Sequence, residues 1–234
     1  MPIARHAALE SSDDDHERLV LEVSARARRV SLRVDVARGC IVLVRPTRCP
    51  ETLVTRFVTE KREWITKQLA SLPPRMALSH GSELSLLGER CIISEHSTAK
   101  RGVWREGSTI YVSGAPEHLP RRLKDWLKAE ARTIFSAWAR DFAATLNVRV
   151  TRVALRDTRS RWGSCTRDGK LSLSWRLMLA PREIAAYVVA HEVAHLKHMN
   201  HSPVFWRVVE SLVGNIKTPR VWLRHHGASL HRYI

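Results

Sequence analysis

"AYVVAHEVAHLKHMNHSPVFW", residues 186–206, decides how this chain is read. From Ile184 to Leu196 almost every side chain is apolar. Apart from Tyr187, the only ionisable groups there are His191, Glu192 and His195. In an α-helix, residues four apart lie about 40° apart in azimuth and one turn apart in height. His191 and His195 therefore share one face, with Glu192 between them in height and to one side of it. This is the H-E-x-x-H pattern: two neutral imidazoles can hold Zn²⁺, and the carboxylate can take a proton from a water activated there. Burying two imidazoles and an unpaired carboxylate in apolar surroundings is costly, whereas one metal ion satisfies all three.

A catalytic zinc usually takes three protein ligands and leaves a fourth position open. The candidates for the third ligand are His198 and His201. The offsets of His191, His195 and His201 match the metzincin ligand spacing, but that motif has Gly where this chain has His198. The chain must therefore leave the helix differently. Asn200 is expected to end it in the left-handed conformation. Ser202-Pro203 then reads as the cap and first turn of a new helix, with Phe205, Trp206, Val209 and Leu212 apolar. His201 sits at that corner and is the preferred third ligand for one Zn²⁺. Structural zinc sites more often use Cys, and none follows Cys165.

Working outward, "RWGSCTRDGKLSLSWRLMLAP" (residues 161–181) carries Asp168-Gly169, a two-residue hairpin signal. After it, Leu171, Leu173, Trp175, Leu177 and Leu179 alternate with Ser172, Ser174, Arg176 and Met178. That predicts a strand over 171–179, with a backbone edge for an extended peptide. Arg161 and Arg176 are the substrate-binding candidates. Arg176 shares a face with two serines and can meet an anionic substrate or form a surface salt bridge. Trp162 reads as a core anchor and Cys165 as a structural thiol.

Residues 18–46 alternate in three short runs and predict an antiparallel meander, with a turn at Arg38-Gly39. Pro50 to Leu72 predicts one helix. Residues 82–113 predict short strands turning at Leu87-Gly88 and Glu106-Gly107. A long helix is expected from about Glu117 to Leu146, then a strand over 148–157. His225, His226 and His231 read as surface residues of a basic C-terminal helix. The order is α+β, with a strand-rich N-terminal half, rather than regular βαβ. The expected division is an acidic, disordered tail over 1–17, a strand-rich region with one helix over 18–115, and a metal-binding catalytic domain over 116–234.

The chain has 234 residues and 44% hydrophobic composition, enough for a proper core. No apolar run approaches the ~20 residues that span a bilayer, so no membrane partner is expected. "MPIARHAALESSDDDHE" lacks the basic start and apolar core of a secretory signal. The four cysteines form no CxxC pair and read as reduced thiols, so a cytoplasmic location is expected. Lys and Arg number 39 against 23 Asp and Glu, a net charge of +16. Residues 152–234 hold 14 Lys/Arg and 5 Asp/Glu, a net +9. Such charge suits either a solvated surface or attraction to polyanions, including nucleotides and nucleic acid. No recognisable nucleic-acid-binding motif accompanies it.

"RWGSC", "LSLSWRLMLAP" and "YVVAHEVAHLKHMNHSPVFW" together resemble the YgjP-like metallopeptidases, a zincin-like family of metal-dependent hydrolases. "KREWITKQLA" and the strand-rich half extend the resemblance over about residues 18–234. It implies a zincin-like C-terminal domain, metal binding at His191, His195 and His201, and a catalytic Glu192. It departs at Ser174, where the family pattern has Asn, which touches substrate binding and not the metal. The family is similar to SprT-like and Wss1-like zincins, which include proteases acting on DNA-linked proteins. The leading expectation is thus a zinc-dependent hydrolase acting on peptides or proteins. A metal-dependent nucleotide or phosphoester hydrolase is one alternative. A nucleic-acid-binding module with a structural metal is another, although such a module has no need of Glu192.

Overall fold

The computed structural model describes residues 18–36, 38–72, 76, 78–158 and 161–233. The acidic segment 1–17, expected to be disordered, lies outside the described residues. The chain mixes α and β structure and forms two compact units, residues 1–75 and 76–234.

The first unit contains β1 (Leu19–Ser24), β2 (Ser31–Asp35), β3 (Cys40–Pro46), α1 (Glu51–Glu60) and α2 (Arg62–Ser71). Its strands are not a meander. The order is β1-β3-β2, with β1 parallel and β2 antiparallel to β3. The cause lies in the side chains. Cys40 to Leu43 are all buried, and a continuous apolar run belongs at the centre of a sheet. The alternating strands β1 and β2 take the edges. The helix expected over 50–72 is two helices meeting at Lys61, whose φ of −101° and ψ of 7° leave the α region. Val58, Ile65 and Leu69 still share one core with Ile41 and Leu43. Their continuous helical spacing hides the break, which no Gly or Pro announces.

The second unit opens with a four-stranded sheet, order β4-β5-β7-β6 (Glu83–Leu86, Glu89–His96, Thr109–Ser113, Val103–Glu106). Leu87 and Gly88 both have positive φ, 50° and 90°, as a tight hairpin turn requires. The long helix α3 (Leu119–Leu146) buries Leu119, Leu123, Leu127, Ala131, Phe135, Ala139, Ala143 and Leu146 in one stripe. It ends at Asn147, in the left-handed conformation. A three-stranded sheet follows, order β8-β10-β9 (Arg152–Arg156, Lys170–Ser174, Gly163–Cys165). Then come α4 (Arg182–Ala194), α5 (Pro203–Val213), α6 (Lys217–His226) and a 3-10 turn over Gly227–Arg232. None of the described helices is long and apolar enough to cross a membrane.

The strand expected over 171–179 stops at Ser174. Trp175–Leu179 forms a 3-10 turn with all five side chains buried. Alternation alone could not show this, because a turn buried on every side also accepts Leu, Trp and Met. Strand β10 lies between β8 and β9 and so has no free edge; the outer strands of this sheet are β8 and β9.

Arg176 is accordingly not on a strand face. It is buried, at 6% exposure, and its guanidinium is engaged inside the protein. Nε donates to Asp157 Oδ1 at 2.6 Å and Nη2 to Oδ2 at 3.3 Å. Nη1 donates to the carbonyls of Leu230 and Tyr233 at 3.0 and 2.8 Å. The residue thus ties the end of β8 to the C-terminal turn. Burial raises the Asp157 carboxyl, but the hydrogen bond and charge of Arg176 outweigh it and hold the group below the usual carboxylate range. A carboxyl depressed in this way stabilises the fold above its unfolded pKa, and that contribution is lost as pH falls through the folded value. Asp157→Asn is therefore expected to lower stability at pH 7 and to show a shallower decline below about pH 4. Urea unfolding across that range measures both effects. Equal urea midpoints for both proteins throughout would contradict the clamp.

Candidate metal centre

Helix α4 is central to the second unit. Ile184, Ala185, Tyr187, Val188, Val189, Ala190, Val193 and Ala194 are all buried. It packs against α3, α5 and β9. It ends at Ala194, with His195 as its C-cap. The left-handed Asn200 expected from the sequence does not occur. Among the described non-glycine residues only Leu87 and Asn147 have positive φ. Instead the backbone N–H groups of Lys197 and His198 donate back to the Ala194 carbonyl at 3.0 and 3.1 Å. That tightened turn satisfies the end of the helix without a special residue. Ser202 then caps α5, its hydroxyl accepting from the Phe205 N–H at 3.4 Å, and Pro203 is the first helical residue.

This corner brings His201 back over the helix. His191, His195 and His201 each place one ring nitrogen within 4.8 Å of the others, close enough to hold a metal ion. The Nε2 atoms of His191 and His201 are 3.1 Å apart. The ligand–ligand edge of a tetrahedral zinc site is about 3.3 Å for Zn–N bonds of 2.0–2.1 Å. His195 Nδ1 lies 3.1 Å from the carbonyl of His198. Donation to that oxygen fixes the tautomer, leaving the Nε2 lone pair for a ligand. His198 contributes its main-chain oxygen there and is not part of the three-histidine group. The buried Nδ1 of His191 has no hydrogen-bond partner among the described residues.

Residues from "NHSPVFW" hold the rings. Phe205 stacks on His195 with centroids 4.6 Å apart and meets His191 and His201 edge-on, each at 4.9 Å. Trp206 stacks on His201 at 5.6 Å, and the Arg220 guanidinium lies over its indole at 4.6 Å. Burial, reinforced by His195, His201 and Arg220, pulls the His191 imidazole down to about 3. Burial also lowers His195, against the opposing pull of the His198 carbonyl. Both rings are therefore neutral at physiological pH, the form that donates to a metal. Burial pushes the Glu192 carboxyl up to about 7, with a smaller opposing effect from Arg161. A nearby dication would draw it back down. The donor set fits a divalent metal: three lone-pair nitrogens in reach of one point, beside one carboxylate.

One contributor escaped the sequence reading. Gly163, the first residue of β9, lies against Glu192. A Cβ there would sit 2.5 Å from Oε1, 2.6 Å from Cγ and 2.8 Å from Cδ of that side chain. No residue but glycine leaves the carboxyl in place. The only available signal was the Gly of "RWGSC", at the start of a strand and close to the motif helix in sequence. Gly163→Ala is expected to lower hydrolysis by about 10²-fold, the lower end of what a positioned base contributes, with metal content retained. Wild-type rates from the Ala variant would refute the contact.

Trp162 precedes this glycine and is half-buried. It stacks on His231 with centroids 5.1 Å apart, and a Cβ at Gly227 would meet its ring at 3.0 Å. His225 and His226 are exposed. Arg161 is exposed and close enough for its charge to act on Glu192, whereas Arg176 is committed to Asp157 and the C-terminal carbonyls. Cys165, also on β9, is raised to about 12 by burial, with the charges of Glu192 and Asp168 adding to it. It is a thiol at neutral pH and not a nucleophile.

The class of protein follows: a metal-dependent hydrolase of the metallopeptidase kind. Residues 28–226 match the family described as YgjP-like, metallopeptidase domain, and the chain belongs to that family. Among solved structures, the metallopeptidase zymogen of Pyrococcus abyssi abylysin is similar at 22% identity and a TM-score of 0.35. The match covers 40% of this chain and 92% of that one. No curated protein matches the chain.

Proposed function

We propose that this chain is a zinc-dependent peptidase with a zincin-like catalytic domain over residues 116–234. In this reading His191, His195 and His201 hold one Zn²⁺ and Glu192 is the general base. The observation that carries it is the meeting of three imidazole nitrogens within 4.8 Å, two at the end of the helix that also presents Glu192 and the third, His201, from the turn beyond it. When bound, the metal supplies Lewis acidity, which polarises a carbonyl and makes water acidic near neutral pH.

The chain's own residues do the rest. Glu192 takes the proton of the attacking water at its carboxylate and returns it to the departing amine. Gly163 keeps that carboxylate in position. The His198 carbonyl holds the His195 ring, and Phe205 and Trp206 restrict all three imidazoles. Strand β9 is the free edge beside Glu192, so it is the element suited to align an extended peptide, in place of the strand expected over 171–179. Arg161 stands exposed next to Glu192 and is the substrate contact in this reading.

The nucleotide-hydrolase alternative has only the net charge of the surrounding sequence behind it. Incubating zinc-loaded protein with unfolded proteins and, separately, with nucleoside triphosphates distinguishes the two. The expected result is peptide-bond cleavage that stops with chelator and returns with zinc. Turnover confined to the triphosphates would overturn the peptidase reading.

A further inference from the structure

The first unit carries a cavity of about 400 Å³ that the peptidase chemistry does not use. Its walls are Arg29, Val30, Ser31 and Leu32, where the chain enters β2, and Phe57, Lys61 and Trp64 around the junction of α1 and α2. That volume lies in the range of real ligand sites.

Its position is informative. Successive side chains of a strand point to opposite faces. Ser31 and Leu32, the first two residues of β2, point to opposite faces yet both line the cavity, which therefore reaches round the edge of the strand at its start. Strand β2 is an edge strand, hydrogen-bonded only to β3. Among the described residues no other segment pairs with its outer side. An open edge of this kind is a template for another extended chain.

The chemistry of the walls is equally one-sided. Val30, Leu32, Phe57 and Trp64 provide an apolar recess, and Trp64 is 39% exposed. The only charged residues of the lining are Arg29 and Lys61, and no acidic residue lines it. Neither has an ion pair among the described residues, whereas Arg33, Arg38 and Arg56 are each paired with a carboxylate. Arg26 and Arg28, in the same entry to β2, are exposed. Residues 18–75 hold 13 Lys/Arg against 5 Asp/Glu, so the sequence around the recess is net positive.

We infer that this edge of β2 is a docking site for an extended acidic polypeptide carrying an apolar anchor residue. The anchor enters the Phe57–Trp64 recess, its flanking carboxylates meet Arg29 and Lys61, and its backbone adds to β2. The inference rests on the peptidase reading only in taking the partner to be a polypeptide. The free strand edge supports that choice independently, since alternating main-chain donors and acceptors at strand spacing match a second polypeptide backbone, whereas a phosphate backbone supplies acceptors only.

The test is fluorescence anisotropy of a fluorescein-labelled peptide of alternating Glu and Phe, on the full chain carrying Glu192→Gln so that the probe is not consumed. Arg29→Glu combined with Lys61→Glu is expected to weaken binding at least tenfold, about the effect of removing two charge contacts. Trp64→Ala is expected to weaken it as well. A Lys-for-Glu version of the peptide should bind at least about tenfold more weakly, and oligothymidylate should not displace the acidic peptide. Unchanged affinity in the double variant, equal binding of the basic peptide, displacement by oligothymidylate, or no binding at all would each overturn the inference. Because binding is read without turnover, its failure is separate from any failure of the hydrolytic reading.

Discussion

Replacing Glu192 by Gln is expected to lower peptide hydrolysis by about 10²–10⁴-fold, the usual contribution of a positioned base. The substitution keeps the shape of the side chain and removes only its capacity to accept a proton. The amide would still fit beside Gly163, where there is no Cβ to displace it. Metal content should be unchanged, because all three imidazoles remain. Thermal stability near neutral pH should hold or rise, since Glu192 is 6% exposed and has no ion pair among the described residues. Steady-state kinetics on a peptide substrate, with metal analysis of the same sample, reads all three. Wild-type kcat in this variant would remove Glu192 from the mechanism.

His191→Ala is expected to abolish stable metal binding. The three rings are mutual neighbours, with centroids 4.8–5.0 Å apart, so His191 is one of three equivalent donors. Losing a hydrogen bond behind a ligand typically costs 10–100-fold in metal affinity, and losing the ligand itself costs more. His201→Ala should behave likewise, although His201 is exposed and lies beyond the helix. His198→Ala separates the two third-ligand candidates. His198 acts through its main-chain carbonyl, so the Ala variant keeps the bond that orients His195 and should retain its metal. Loss of metal in His198→Ala with retention in His201→Ala would reverse the assignment.

Much of this centre was legible because helical geometry is local. Four-residue spacing places His191 and His195 together whatever the rest of the chain does. Ser202-Pro203 marks the next helix start by its own cap chemistry. The corner between them was read by the wrong device. Asn200 has the chemistry for a left-handed stop, yet the turn closes on the Ala194 carbonyl and needs none. What the sequence concealed was mostly set by distant partners. Gly163 matters only because Glu192 comes to rest against it. Arg176 alternates with serines as a strand residue would, but Asp157 and two C-terminal carbonyls claim its guanidinium. In the first unit, alternation identified three strands but not their order. The central place of β3 follows from which run is apolar on both faces, a comparison between strands rather than a property of any one.

The most direct measurement is the zinc content, per chain, of the purified protein and its variants. The expected values are one ion in the wild type and in Glu192→Gln, and little or none in His191→Ala, His195→Ala and His201→Ala. Equal zinc in the wild type and the three histidine variants would contradict the centre described here.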